Sequence, residues 1–131
     1  MSVEYPVFLK ERDPRVQEVR VYFSTTRLQD NLEAVDVENE EYLAWDAWGN
    51  VLRLDVAPGR RDWLRLTPTK MADMEGLRRA IASYAEVVGG GAGEIEGLTP
   101  AEAIKHIEDS QEREEQEKRR KRRWYQFRPR V

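Results

Sequence analysis

An acidic run, Asp30, Glu33, Asp36, Glu38, Glu40 and Glu41, places six carboxylates in twelve residues with no base among them. If residues 35–38 are a strand, Asp36 and Glu38 point to one face about 6.6 Å apart, a separation at which two carboxylates share a divalent ion or a water. The plainer reading is the solvated face of a strand whose other face, Val35 and Val37, is core. A third is a docking surface for a basic partner, made of Asp36, Glu38, Glu40 and Glu41 with the aromatic Trp48 nearby.

The opposite charge is concentrated at the C-terminus. Lys118, Arg119, Arg120, Lys121, Arg122 and Arg123 run directly into Trp124, Tyr125 and Phe127, followed by Arg128 and Arg130. Cations interleaved with rings suit single-stranded or RNA contact, phosphates being neutralised by Arg and Lys while bases stack on aromatics. Eight cations on phosphates would give a slope of log K against log salt of about −6 to −7. The same residues suit an acidic protein, a second copy of the chain, an anionic membrane surface, or the chain's own acidic run.

Other chemistries are narrowed by composition. There is no cysteine, which removes thiol nucleophiles, disulfides and Cys-ligated metals. The one histidine, His106, lies off the apolar stripe of its helix and reads as a solvated residue. The glycines of residues 89–97 follow a helical pattern rather than a strand, and no Gly-Lys occurs, so they read as a linker rather than a phosphate-cradling loop. No catalytic residue set, metal site or cofactor is implied.

The elements that must position these residues follow from periodicity. Residues 3–10 alternate, with Val3, Tyr5, Val7 and Leu9 on one face, and Pro6 suggests an edge strand. After the Asp13-Pro14 turn, Val19, Val21 and Phe23 alternate with Arg20 and Tyr22. Ser24, Thr25 and Thr26 offer caps for a short helix through Leu28 and Leu32. Leu43, Trp45 and Ala47 alternate before Gly49-Asn50, and Leu52, Leu54 and Val56 alternate after it, which is a hairpin signal. Trp63, Leu64 and Leu66 suggest one more strand before Pro68.

The period then changes. Met71, Met74, Leu77, Ile81, Tyr84 and Val88 share one stripe of a helix, in which Gly76 costs roughly 1 kcal/mol relative to alanine. Thr99-Pro100-Ala101-Glu102 has the form of a capping box with proline at the first helical position. Ala103, Ile104 and Ile107 supply about two turns of apolar face, after which residues 108–123 carry no apolar side chain. Glu114 with Lys118, Glu115 with Arg119 and Glu117 with Lys121 are acid-before-base pairs that would support a solvated continuation of the helix.

These signals give an α+β fold: a mostly antiparallel sheet of five or six strands packed on one helix, with a charged C-terminal helical extension. The expected organisation is a globular domain over 1–88, a glycine-rich linker over 89–97, and a charged helix with a basic aromatic tail over 98–131. The net charge of −3 over 131 residues hides a steep gradient. Residues 1–97 carry 12 basic and 18 acidic side chains, residues 98–117 carry 2 and 7, and residues 118–131 carry 8 and none. The expected function is a cytoplasmic, non-enzymatic interaction module that engages a protein partner or a second copy. The alternative is a nucleic-acid-associated protein acting through the tail, and third comes a carboxylate-based metal enzyme. No apolar run is long enough to span a membrane.

Overall fold

A computed structural model describes residues 3–59, 63–88 and 92–126, the side chains of Val35, Ala92, Tyr125 and Gln126 excepted. Five strands, β1 (Val7–Glu11), β2 (Val19–Tyr22), β3 (Tyr42–Trp45), β4 (Asn50–Val56) and β5 (Leu64–Ala72), form one sheet. Its order is β2-β1-β3-β4-β5, antiparallel throughout. The fold is α+β, and helices cover both faces of the sheet where one face was expected to be packed. The reason lies in β1, where Val7, Phe8 and Leu9 are consecutive apolar residues. Neighbouring strand residues point to opposite faces, so burying all three requires a layer on each side.

On one side, Phe8, Val19 and Trp45 pack against Leu77, Ile81 and Tyr84 of α3 (Met74–Val87) and Ala103, Ile104 and Ile107 of α4 (Pro100–Gln126). On the other, Val7, Leu9, Tyr22, Ala44 and Leu52 pack against Leu28 and Leu32, from α1 (Thr25–Asn31) and its end, and Val37 of α2 (Ala34–Glu38). The α1 cap is Ser24, whose hydroxyl accepts from the Arg27 amide at 3.2 Å. Phe23, expected on the face of Val19 and Val21, lies beyond the end of β2 and is exposed.

Several elements depart from their sequence signals for identifiable reasons. Pro6 precedes β1, which is an interior strand, so it occupies no ladder position. β5 continues through Pro68 to Ala72, and this is tolerated because β5 is an edge strand. The Thr69 hydroxyl donates to the Val51 carbonyl at 2.6 Å beside a register shift in β4. Met71 therefore lies exposed on β5 and is not part of the helical stripe. Residues 34–38 are helical rather than extended: the amides of Asp36 and Val37 both donate to the Glu33 carbonyl, at 3.1 and 3.3 Å. Five residues holding two valines fit either period, and the need to bring Val37 onto the sheet face decides the outcome.

The start of α3 explains Gly76. Asp73 caps the helix, its carboxylate accepting from the Gly76 amide at 3.0 Å. A β-carbon at residue 76 would lie 2.1 Å from that carboxylate. Gly76→Ala should thus forfeit the roughly 1 kcal/mol that alanine normally gains in a helix. Asp73→Ala should cost about 1 kcal/mol in the wild type and under about 0.5 kcal/mol in the Gly76→Ala background. Urea titration of the four-member cycle measures the coupling, and strict additivity would contradict the shared site.

A 3-10 turn (Ala92–Ile95) buries Ile95 against α3 and α4, so the described end of the glycine-rich segment is anchored to the core. The capping box is present, with Thr99 N–H donating to Glu102 Oε1 at 3.0 Å and Glu102 N–H to Thr99 Oγ1 at 3.2 Å. Helices α3 and α4 run in the same direction. Arg78 and Ile81 share a cavity with Pro100 and Ala103, whereas Val88 shares one with residues 111–118. α4 has 27 residues and is about 40 Å long, of which roughly 28 Å lies beyond Ile107, its last core residue.

Candidate functional site

The two charged regions lie on opposite sides of the sheet. The short helix α2 rests on β4, on the face that buries Val7 and Leu9, while α4 packs on the face that buries Phe8. Asp36 and Glu38 are both on α2, where residues two apart point in different directions, so the paired-carboxylate geometry of a strand does not exist. Among the described residues no group of three or more His, Cys, Asp or Glu is placed to hold a metal ion.

After α2 the chain reverses at Glu40, with φ 54°, and the Glu41 amide donates to the Asp36 carbonyl at 3.2 Å. This turn brings Asp36, Glu41 and Glu11 together. The Glu41 carboxyl is pushed above its ordinary range by desolvation and then by the Asp36 carboxylate. Tyr42 is pushed up for the same reasons, burial first, then Asp36 and Glu11. Glu38 and Glu40 border a shallow groove of about 800 Å³ between α2 and β4, floored by Val37, Leu54 and Val56. At its rim, Arg65 grips Asp55 with two parallel bonds of 3.0 and 2.9 Å and holds that carboxyl below its usual range. Among the described residues no cation stands within ion-pair distance of Glu38, Glu40 or Glu41, although Arg53 lines the same groove.

Trp48 lies in the turn between β3 and β4 with 70% of its surface exposed. Trp45, by contrast, is core. His106 is half-buried, and its Nε2 lies 3.0 Å from Glu94 Oε2. This bond ties the 3-10 turn to α4, a link between residues twelve apart that helical periodicity does not reveal.

The cations Lys118 to Arg123 lie exposed on the outer part of α4 and continue into Trp124, itself 62% exposed. Six successive helical residues step by 100° each, so the cations surround the helix instead of forming a stripe. Tyr125 is on the same helix, and Phe127 lies outside the described residues. The three expected pairs, Glu114 with Lys118, Glu115 with Arg119 and Glu117 with Lys121, are not within ion-pair distance among the described residues. Acid and base therefore sit in consecutive blocks along one rod.

At the base of that rod, Glu108 is pushed above the ordinary carboxylate range by burial, then by Asp109 and by Glu18 on the facing strand edge. A carboxyl whose folded pKa is raised opposes folding when ionised, and the penalty is relieved as pH falls through the carboxylate range. Glu108→Gln should raise Tm at pH 7, with the advantage shrinking toward zero near pH 4. Melting curves across that range check the sign.

Compared with models of protein families, with curated proteins and with solved structures, the chain matches none. No helix among the described residues is long and apolar enough to cross a membrane.

Proposed function

We propose that the protein is a cytoplasmic, non-enzymatic interaction module whose body presents the acidic α2 surface and whose α4 engages a macromolecular partner. The observation that carries this reading is the course of α4, whose last core residue is Ile107 and which carries its exposed cations, Lys118 to Arg123, and Trp124 on the length beyond it. A helix with no apolar face gains nothing from tertiary packing along its outer length. Its charges are displayed where another molecule reaches them from any side.

The nucleic-acid alternative rests on the same cations and differs in its salt response. Binding of the full chain, and of a chain ending at Glu117, to polyglutamate and to single-stranded RNA separates the two. An interaction module for acidic or self surfaces should bind polyglutamate in a manner lost on truncation, and bind RNA only at low salt. RNA binding that persists at about 0.15 M salt, with a slope of about −4 or steeper, would establish the alternative instead. Unchanged binding to both probes after truncation would remove α4 as the contact element.

A further inference from the structure

We infer that the partner of α4 is α4 of a second copy, paired antiparallel about a two-fold axis near Glu117 and Lys118. This inference rests on the interaction reading above and narrows it to one occupant. Between residues 108 and 117 the helix holds six acids and a single cation, Arg113, and from 118 to 123 every residue is a cation. The change of sign falls between two adjacent residues. Parallel pairing of two such helices lays like charge on like, whereas antiparallel pairing about that boundary lays acid on base in both halves at once.

Among the described residues the monomer offers no equivalent: the acids and bases of α4 do not pair along the helix, and the acidic α2 lies across the sheet from it. The two-fold axis also fixes a register along the rods, bringing Arg123 level with Glu112, Lys121 level with Glu114 and Arg120 level with Glu115, and because these charges are spread around the helix, whichever sides meet bring acid beside base. One like pair results, Arg122 level with Arg113. The Arg113 guanidinium, however, is turned along its own helix, toward the Asp109 carbonyl and the Ser110 hydroxyl at 3.4 Å each.

The same register makes a prediction about the aromatic end that charge alone does not require. It brings Trp124 of one copy level with Gln111 of the other. Gln111 borders a cleft of about 480 Å³, where α4 passes the end of α3, with Val88 as its apolar lining and Glu112 and Glu115 as its acidic wall. Neighbouring Val87 is 68% exposed. An exposed tryptophan preceded by cations is thus held at the height of an apolar surface bordered by acids, within reach of a long side chain. Charge blocks, register and cleft converge on one arrangement.

Because its contacts are mostly exposed ion pairs, the association should be weak and governed by salt. Light scattering on the full chain at about 0.05 M salt should show a mass rising with concentration from 15.4 kDa toward twice that, and returning to the single-chain mass by about 0.5 M salt. Two charge-reversed variants make the test decisive. The triple variant Glu112→Lys, Glu114→Lys, Glu115→Lys and the triple variant Arg120→Glu, Lys121→Glu, Arg123→Glu should each be monomeric, and an equimolar mixture should regain the two-chain mass. All six positions are exposed, so melting curves should confirm that the body remains folded. Trp124→Ala should weaken association about fivefold or more. A wild-type chain that stays monomeric at low salt, or variants that stay monomeric on mixing, overturns the pairing. If that monomer still binds polyglutamate in a manner lost on truncation at Glu117, the wider interaction reading stands and only the self-pairing falls.

Discussion

Ile81→Asp is expected to abolish cooperative unfolding altogether. Ile81 is 2% exposed, in the core where α3 meets Phe8 and Trp45 of the sheet and Ile104 and Ile107 of α4. Removing the isoleucine side chain alone costs about 2–5 kcal/mol, and Ile81→Ala should show that loss as a lowered but still sharp transition. Aspartate adds an unpaired carboxylate that must either be desolvated or take up a proton, several kcal/mol more. The total reaches the 5–15 kcal/mol that typically separates folded from unfolded domains. The variant should lose the near-ultraviolet circular dichroism of Trp45 and melt without a cooperative step. A wild-type transition in Ile81→Asp would contradict the packing of α3 between sheet and α4.

Much of this architecture is legible in the sequence because the relevant patterns are local and repeated. The hairpin of β3 and β4, the stripe of Leu77, Ile81 and Tyr84, and the Thr99–Glu102 capping box all depend on residues a few positions apart. The illegible parts depend on tertiary context. Residues 34–38 satisfy either period, and Val37 becomes helical because a layer is needed over Leu52 and Leu9. Pro68 reads as a stop until β5 is known to be an edge. Nor does alternation show that both faces of β1 are covered, although the uninterrupted Val7-Phe8-Leu9 is the available hint.

The charge layout divides in the same way. The acidic run and the basic end are plain in composition, whereas their separation by the sheet is a property of the fold alone. That separation keeps the described cations of α4 from neutralising the α2 acids of the same chain. The idea of a carboxylate pair at Asp36 and Glu38 fails for a local reason, the change from a two-residue to a 3.6-residue period. The blocks along α4 gain meaning from the helix being continuous through Lys118, because continuity puts the reversal of sign on one straight rod.

Asp46→Ala carries the second large expected effect, a loss of about 3 kcal/mol. Asp46 is 5% exposed and is a buried charged side chain among the core residues. Its Oδ1 accepts from the amides of Trp48 and Asn50, both at 2.9 Å, and its Oδ2 accepts from the Asn50 side-chain amide at 3.1 Å. These bonds close a turn over residues 46–49, so the connection is longer than the Gly49-Asn50 signal suggested, and Asn50 already belongs to β4. Aspartate at the first position of such a turn and glycine at the fourth is the signature that marks it. Gly49 has φ 79°, and a β-carbon there would lie 2.7 Å from the Met74 Cα. Its carbonyl accepts from the Asp73 amide at 2.8 Å, which joins the hairpin to the cap of α3. Alanine at residue 46 would leave two partly buried amides without their acceptor and release both the turn and the start of α3. Asp46→Asn keeps one acceptor oxygen for the two amides and should cost only about 1 kcal/mol. Urea titration at neutral pH ranks the three proteins. Equal stability of the alanine and asparagine variants would show that the paired amides, and hence this turn, do not secure the hairpin to α3.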